Sequence, residues 1–343
     1  MTRPSGLALT IIGLVAIAYL VVLPALLHDA PYLLGIVTTA SILSLISLGV
    51  WLTFAIGRIN IGQGAFALIG GYAAAILMKK VGLSFWLALP LAGLIAALIG
   101  ALIGAAILRL KGVYFAMITL SLTEAVRLAA LNGSWLTDGA SGIVNIPTPG
   151  AISLFGLTLL PPFSELNQHL AFYYLAAVLL IAGVAITYRL AHSRLGAIFR
   201  SLQQNEDLAT SIGIDIARYR VMAYAVCCFL GGLGGAFFVA SQQSIYPSSF
   251  GVPDSIYFML YCFLGGLAYV FGPLVGTFVL FLSFEFLHAL QEFQMLIYAS
   301  IMIGVMLWLP NGILSLTLPE RWRDDRAGAR TVARTERKAD QAL

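Results

Sequence analysis

Charge is what this sequence has least of. Its 343 residues include 19 Lys/Arg and 15 Asp/Glu, only 10% of the chain, against 60% hydrophobic residues and a mean hydropathy of +0.94. Soluble domains carry about 25% charged residues, so a soluble protein with one large core is excluded. The polar/apolar alternation of outer-membrane barrel strands is missing too. Cysteine is scarce: Cys227, Cys228 and Cys262 all lie in apolar runs without metal-ligand spacing to any of the four His, and are expected to be core thiols. No Walker phosphate loop occurs, and "GGLGG" at 231–235 is neither that loop nor a dinucleotide fingerprint. No nucleophile, base or metal set converges. No catalytic residue, cofactor or metal is therefore expected, and a net charge of +4 gives no reason to expect nucleic acid as a partner.

What the chain has in abundance is apolar runs of about 20 residues, each long enough to cross hydrocarbon as a helix. The expected fold class is all-α, a polytopic helical membrane protein with about ten transmembrane helices surrounded by membrane lipid. Candidate spans are roughly 6–27, 31–55, 61–78, 84–108, 113–132, 169–189 and 219–240, then a long run at 255–287, then 296–316. The opening "MTRPSGLALTIIGLVAIAYLVVLPALL" is too long in its apolar core for a cleaved signal peptide and reads as a retained first span. Connections holding "GRIN" (57–60), "LRLKG" (108–112) and the stretch 188–220 are basic, whereas 28–31, 133–168 and 241–254 contain no Lys or Arg. The positive-inside rule makes the basic connections and the N-terminus cytoplasmic. Lys79 and Lys80 alone fall on the wrong side.

The run 255–287 is ambiguous in isolation. As one helix its 33 residues would be about 50 Å long, too long for one crossing of about 30 Å; as two, each is short. The basic tail "RWRDDRAGARTVARTERK" decides for two, because two crossings return it to the cytoplasm with 16 of the 19 Lys/Arg. Gly265, Gly266, Gly272 and Pro273 supply the break. A re-entrant hairpin, compensated by a miscounted span elsewhere, stays open. The expected organisation is a membrane domain at 1–318, with a cytoplasmic loop at 190–219, and a basic cytoplasmic tail at 319–343 without structure of its own. Small-xxx-small pairs at Gly231/Gly235, Gly100/Gly104 and Gly272/Gly276 are expected to let helices approach closely.

The 188–220 connection has internal pattern. Leu195, Ile198, Phe199 and Leu202 share one helical face, with Arg194 and Arg200 elsewhere, as suits a helix at the membrane surface. "NEDLATSIG" then reads as a short helix: Asn205 can cap it, Glu206 and Asp207 suit its N-terminal dipole end, and Gly213 can terminate it. A plain polar loop is the bland alternative. Inside the membrane, Glu124 and Arg127 stand one turn apart on the fifth span, either as a structural ion pair or as a polar element beside a path. Glu285 and His288, near a span's end, are expected to reach water. Gly62, Gln63 and Gly64 head the third span, either as irregular backbone beside a path or as a tight cytoplasmic turn. The outer connection 133–168, with Asp138 and Glu165, is long enough to meet a binding protein.

Six pieces in order then resemble one family: "GRINIGQGAFALIGGYAAAIL" (57–77), "LRLKGVYFAMITLSLTEAVRL" (108–128), "LTDGASGI" (136–143), "SRLGAIFRSLQQNEDLATSIGIDIARYR" (193–220), "YPSSFG" (246–251) and "FLGGLAYVFGPLVG" (263–276). Together they resemble the M-type permease subunit of bacterial branched-chain amino-acid ABC importers, over residues 31 to 316. The resemblance implies an ABC-importer permease fold in the bacterial inner membrane, where the charge pattern puts both termini on the cytoplasmic side. It implies an H-type sister permease as heterodimer partner, two ABC ATPase subunits that carry the ATP chemistry, and a periplasmic substrate-binding protein. It makes "NEDLATSIG" the coupling helix that enters an ATPase groove, with Asn205, Glu206, Asp207, Ala209 and Gly213 as its residues. Asp207, Ala209 and Gly213 match the Glu-Ala-Ala-x-x-x-Gly spacing of importer permeases; Leu208 departs, and the Ile-x-Leu-Pro element downstream is missing. The translocation path would involve Gly62, Gln63, Gly64, Glu124, Arg127, Gly265, Gly266, Gly272 and Pro273. Branched-chain amino acids are the default solute, with urea, short amides or aromatic acids as alternatives. The rival function is a secondary transporter or channel acting alone.

Overall fold

The computed structural model describes residues 18–26, 30–154, 157–160, 162–163, 167–286, 299–300, 303–304 and 312–316. The expected spans at 6–27 and 296–316 fall mostly outside these residues, as do His288, Glu165 and the tail 319–343. Ten helices carry the description: α1 Pro31–Ala55, α2 Gln63–Lys79, α3 Phe85–Ile107, α4 Val113–Asn132, α5 Gln168–His192, α6 Arg194–Gln204, α7 Glu206–Ser211, α8 Ile216–Gln242, α9 Val252–Gly265 and α10 Gly272–Phe286. Of these, α1, α3, α4, α5 and α8 are long and apolar enough to cross a membrane, and α2, α9 and α10 are shorter apolar helices. The chain is an all-α polytopic membrane protein. Among the described residues, four short strands form two ribbons: Ile143–Val144 pairs antiparallel with Ser244–Ile245, and Ile152–Leu154 with Leu157–Leu160.

The central helix is α8, which packs against α1, α2 and α3. Lipid tails are as apolar as leucine, so burying leucine drives no association here; close backbone approach does. Helix α3 shows the consequence. Ala88, Ala92, Ala96, Gly100 and Gly104, four apart, are buried, while Leu87, Leu91, Leu94, Leu98 and Leu102 point outward. A Cβ added at Gly235 of α8 would collide with the backbone carbonyl of Ala67 in α2, so only glycine permits this crossing. The cysteines are free and buried, as expected.

The connections gather at two ends. At one, called here the basic end, Ile56, Phe199 and Ala223 pack together with Leu195 and Tyr219 against them. Helix α6 turns Phe199 and Leu202 inward, and the Ser193 side chain accepts a hydrogen bond from Leu195 N at its start. At the opposite end lie the ribbon of Ile143 with Ile245 and the loop around Pro149 and Phe163. Lys79 and Lys80, out of place by charge pattern, are spent there. Lys79 Nζ donates to Val144 O at 2.7 Å, and Lys80 Nζ to Leu136 O at 2.7 Å while pairing with Asp138 at 3.3 Å.

The run 255–287 is two helices, not one. Residues 266–271 break it, with Gly266 at φ 109°, and α10 begins at Gly272 with Pro273 in its first turn. Trp51 Nε1 donates to Leu267 O at 3.0 Å, and Tyr188 lies against Phe271, so the break sits toward the basic end. Helix α10 then returns to the opposite end, where Glu285 accepts a hydrogen bond from Tyr32 near the start of α1.

Candidate functional site

Three places carry the residues singled out in the sequence. The first is a joint at mid-depth. Gln63, wholly buried at the first position of α2, donates through Nε2 to Ile46 O and to Cys227 O, each at 3.1 Å, and its Oε1 accepts from Cys227 Sγ at 3.0 Å. Ile46 lies nine residues from the C-terminal end of α1 and Cys227 eleven from the start of α8, about 14 and 17 Å from the basic end at 1.5 Å per residue. Residues 57–62 therefore climb to mid-depth as irregular chain, and only there does α2 begin. In "NIGQGAF" the chain is irregular up to Gly62 and lies among α1, α4 and α8.

Such backbone needs partners that lipid cannot supply. Ile61 N donates to Thr119 Oγ1 at 3.1 Å, Gly62 N to Asn60 Oδ1 at 2.9 Å, and Gly64 N to Ser255 Oγ at 2.9 Å; Thr123 Oγ1 and Ser255 Oγ are 3.2 Å apart. Ser255 belongs to the first turns of α9, whose chain arrives from the opposite end through "YPSSFG". Two broken spans of opposite polarity thus meet where Gly64 touches Ser255. At Gly62 an added Cβ would lie 2.5 Å from Thr119 O, which explains glycine at this joint.

The second place is the exposed face of α4. Arg127 Nε donates to Glu124 Oε2 at 2.9 Å and Nη2 to Oε1 at 2.6 Å, a bidentate pair within one helix. Its side chains are 42% and 30% exposed for Glu124 and Arg127. Tyr114, Met117, Ser121 and Leu128 share that exposure, while Thr119 and Thr123 on the buried side face the joint. The structure separates these groups: Gly62, Gln63 and Gly64 form the joint, Glu124 and Arg127 occupy the outer face of α4, and Gly265, Gly266, Gly272 and Pro273 make the α9–α10 turn.

The third place is α7 at the basic end. Asn205 Oδ1 accepts from Asp207 N at 3.0 Å and Leu208 N at 3.1 Å, capping the helix. Gly213, at φ 83°, ends it: Gly213 N donates to Thr210 O at 2.9 Å and Ile214 N to Ala209 O at 3.1 Å, a Schellman closure. Ala209 is 1% exposed and faces into the chain, so it is not the residue offered outward. Leu208 and Ile212, 64% and 69% exposed, are.

Glu206 faces inward with Ala209 and receives three cations. Arg58 Nη1 lies 3.2 Å from Oε1, Lys111 Nζ 2.9 Å from Oε2, and Arg220 Nη2 also contacts Oε1. Arg58 and Arg220 are 3% and 5% exposed. Burial alone would raise the Glu206 carboxyl, but Lys111 and Arg220 as donors, with the charges of Arg220 and Arg58, hold it below its ordinary value. Sequence reading used Arg58, Lys111 and Arg220 only as markers of sidedness. The sequence shows a carboxylate opening a short helix within a basic connection, but not which cations it meets. Asn60, Thr119, Thr123 and Ser255 were missed because single hydroxyls and amides in apolar helices look like ordinary back-bonded side chains. Among the described residues, no group of three or more His, Cys, Asp or Glu could hold a metal.

The chain is 32% identical over 280 residues to the high-affinity branched-chain amino acid transport system permease protein LivM of Salmonella typhimurium, and equally to that of Escherichia coli. Each match covers 77% of this chain and 65% of the relative, so the chain spans somewhat less than two thirds of these proteins' length. It is 24% identical over 301 residues, 81% of this chain and 90% of the relative, to the probable branched-chain amino acid transport permease protein LivH of Methanocaldococcus jannaschii. No solved structure matches the chain. The family model described as branched-chain amino acid transport system / permease component matches residues 32–309, and the chain belongs to that family.

Proposed function

We propose that this chain is one membrane half of an ATP-binding-cassette importer that carries branched-chain amino acids. The observation that carries the reading is α7: a capped helix that turns a carboxylate inward onto three cations and two large apolar side chains, Leu208 and Ile212, outward at the basic end. An apolar knob on a rigid, doubly closed helix suits a groove in a soluble partner. Two ATPase subunits are that partner, and the nucleotide chemistry is theirs, so this chain uses no cofactor itself. The basic end is the cytoplasmic side of the inner membrane, both termini are on that side, and the opposite end receives a periplasmic binding protein.

The exposed face of α4 supports a place for the second permease subunit and the path. An ionised side chain near the bilayer centre costs about 2.5–3.5 kcal/mol on insertion scales. The Glu124–Arg127 pair is partly exposed there, whereas α3 exposes only apolar groups at its leucine positions. We assign α3's face to lipid and α4's to the sister subunit and the solute, with the Gly62–Gly64 joint beside them and the Gly265–Pro273 turn as a flexing point.

Broken spans meeting at mid-depth also suit a secondary transporter acting alone. One experiment separates the two. The chain, its co-purifying sister permease and the ATPases are reconstituted in vesicles with the binding protein, and uptake of labelled L-leucine is followed. Uptake should require ATP and the binding protein. Uptake driven by an ion gradient without either would overturn the proposal.

A further inference from the structure

We propose that Glu206 is a positioning residue that locks α7 to the broken span at 57–62 and to the heads of α4 and α8, so that displacement of α7 is delivered to the mid-depth joint. This rests on the reading of α7 as the coupling helix. Its three partners come from three separate segments: Arg58 from the irregular climb to Gln63, Lys111 from the connection two residues before α4, and Arg220 from the first turns of α8.

An apolar bed would let a six-residue helix slide, because dispersion and burial have no direction. Three cations on one carboxylate do not. Arg58 and Arg220 are sealed from water, and several of their N–H groups, Arg58 Nε and Nη2 and Arg220 Nε, have no hydrogen-bond partner among the described residues. If α7 moved without them, two buried guanidinium groups would lose the one counter-charge they have among the described residues, which is far less favourable than moving together. The lever therefore includes Arg58. Five residues on, Gln63 is held to α1 and α8 by its two carbonyl partners, and Gly64 is held to Ser255 of α9. A shift at Arg58 reaches that joint through a short chain whose N–H groups at 61, 62 and 64 are all tied to side chains. Lys111 takes the same displacement to α4, which carries Glu124 and Arg127.

Leu208 and Ile212 point away from this cluster. Contact with the ATPases and transmission into the membrane are thus carried by different side chains of one helix turn, and can be separated by mutation. The test uses the full complex with the binding protein and L-leucine. Glu206→Gln keeps the side chain's shape and removes its charge. The ATPases should still be recovered with the permease pair, while the ratio of substrate-stimulated to basal ATP hydrolysis and the leucine uptake rate each fall about tenfold or more. Glu206→Asp, which keeps the charge, should restore at least a third of both. Recovery of the ATPases with full stimulation in Glu206→Gln overturns the proposal and leaves the coupling-helix reading standing. Failure of the unaltered permease pair to recover ATPases at all overturns that reading instead. Should Glu206→Gln not assemble, Lys111→Gln decides: this lysine is two-thirds exposed, and its loss should lower stimulation about threefold with the ATPases still bound. Unchanged stimulation in that variant overturns the proposal.

Discussion

Truncating the outward face of α7 should weaken ATPase capture without unfolding the permease. Leu208 and Ile212 are 64% and 69% exposed, so little of their apolar surface is committed to the chain's own core. Fully burying a leucine or isoleucine side chain is worth about 1.5–3 kcal/mol. With about two thirds of each available to a groove, the pair offers about 2–4 kcal/mol. Alanine retains each Cβ, so the double change Leu208→Ala with Ile212→Ala should cost about 1.5–3 kcal/mol of binding. At 1.4 kcal/mol per tenfold, that is roughly a ten- to hundredfold rise in Kd. The assay is equilibrium binding of the purified ATPases to the permease pair in lipid nanodiscs, with thermal unfolding of the pair measured alongside. The two side chains are spaced i,i+4 and contribute to one patch, so the single changes should each give part of the loss. Affinity within about threefold of the unaltered pair would refute the assignment of this face. A fall in affinity accompanied by an equal fall in thermal stability would refute it too, because the effect would then belong to the chain's own fold. Ala209→Glu makes the contrast: at 1% exposure its new carboxylate enters the interior, and it should lower permease stability first.

Three further outcomes follow from particular contacts. Glu206 titrates below its ordinary value, so its ionised contribution is fully present above about pH 4.3, the ordinary glutamate pKa, and is lost only as pH falls through the lower folded value; stimulated hydrolysis should not show a Glu206-dependent loss between about pH 8 and pH 5.5, measured against Glu206→Gln, and a transition near pH 6 confined to the unaltered chain would contradict this. Gly235→Val should destabilise the permease by at least about 2 kcal/mol in thermal unfolding, because its Cβ would collide with the Ala67 carbonyl and helix backbone cannot yield as a side chain does; near-normal unfolding would remove that crossing from the fold. Cysteine placed at the exposed Ala268, in the α9–α10 turn, should react with impermeant reagent only from the cytoplasmic side, and one at Ser248 only from outside, with Cys227, Cys228 and Cys262 buried and silent; labelling of both from one side would show that α9 does not complete a crossing.

Local chemistry and charge placement were enough for much of this protein. Hydropathy located α1, α3, α4, α5 and α8, because in lipid a long apolar run can satisfy its backbone only as a helix. Asn205 and Gly213 marked both ends of α7, since each cap acts within its own few residues. The length of 255–287, too great for one crossing, already argued for the two helices observed there, a global constraint that needs no coordinates. Gly265, Gly266, Gly272 and Pro273 marked the break because their backbone preferences are intrinsic.

Depth and direction were decided only by the tertiary structure. "GRINIG" has the composition of a surface turn, yet it climbs to mid-depth, because Gln63 finds its acceptors on Ile46 of α1 and Cys227 of α8, residues 17 and 164 positions away. Ala209 fits a docking motif by spacing but faces inward, because Glu206 beside it is drawn onto Arg58, Lys111 and Arg220 and so fixes the roll of a helix less than two turns long. That leaves Leu208 and Ile212 outward. The basic connections could be grouped at one end of the molecule from the sequence alone, since that grouping depends only on how many cations a connection holds. That three of those cations converge on one carboxylate depends on how the spans pack, through glycine and alanine contacts between helices far apart in sequence, and no local pattern records it.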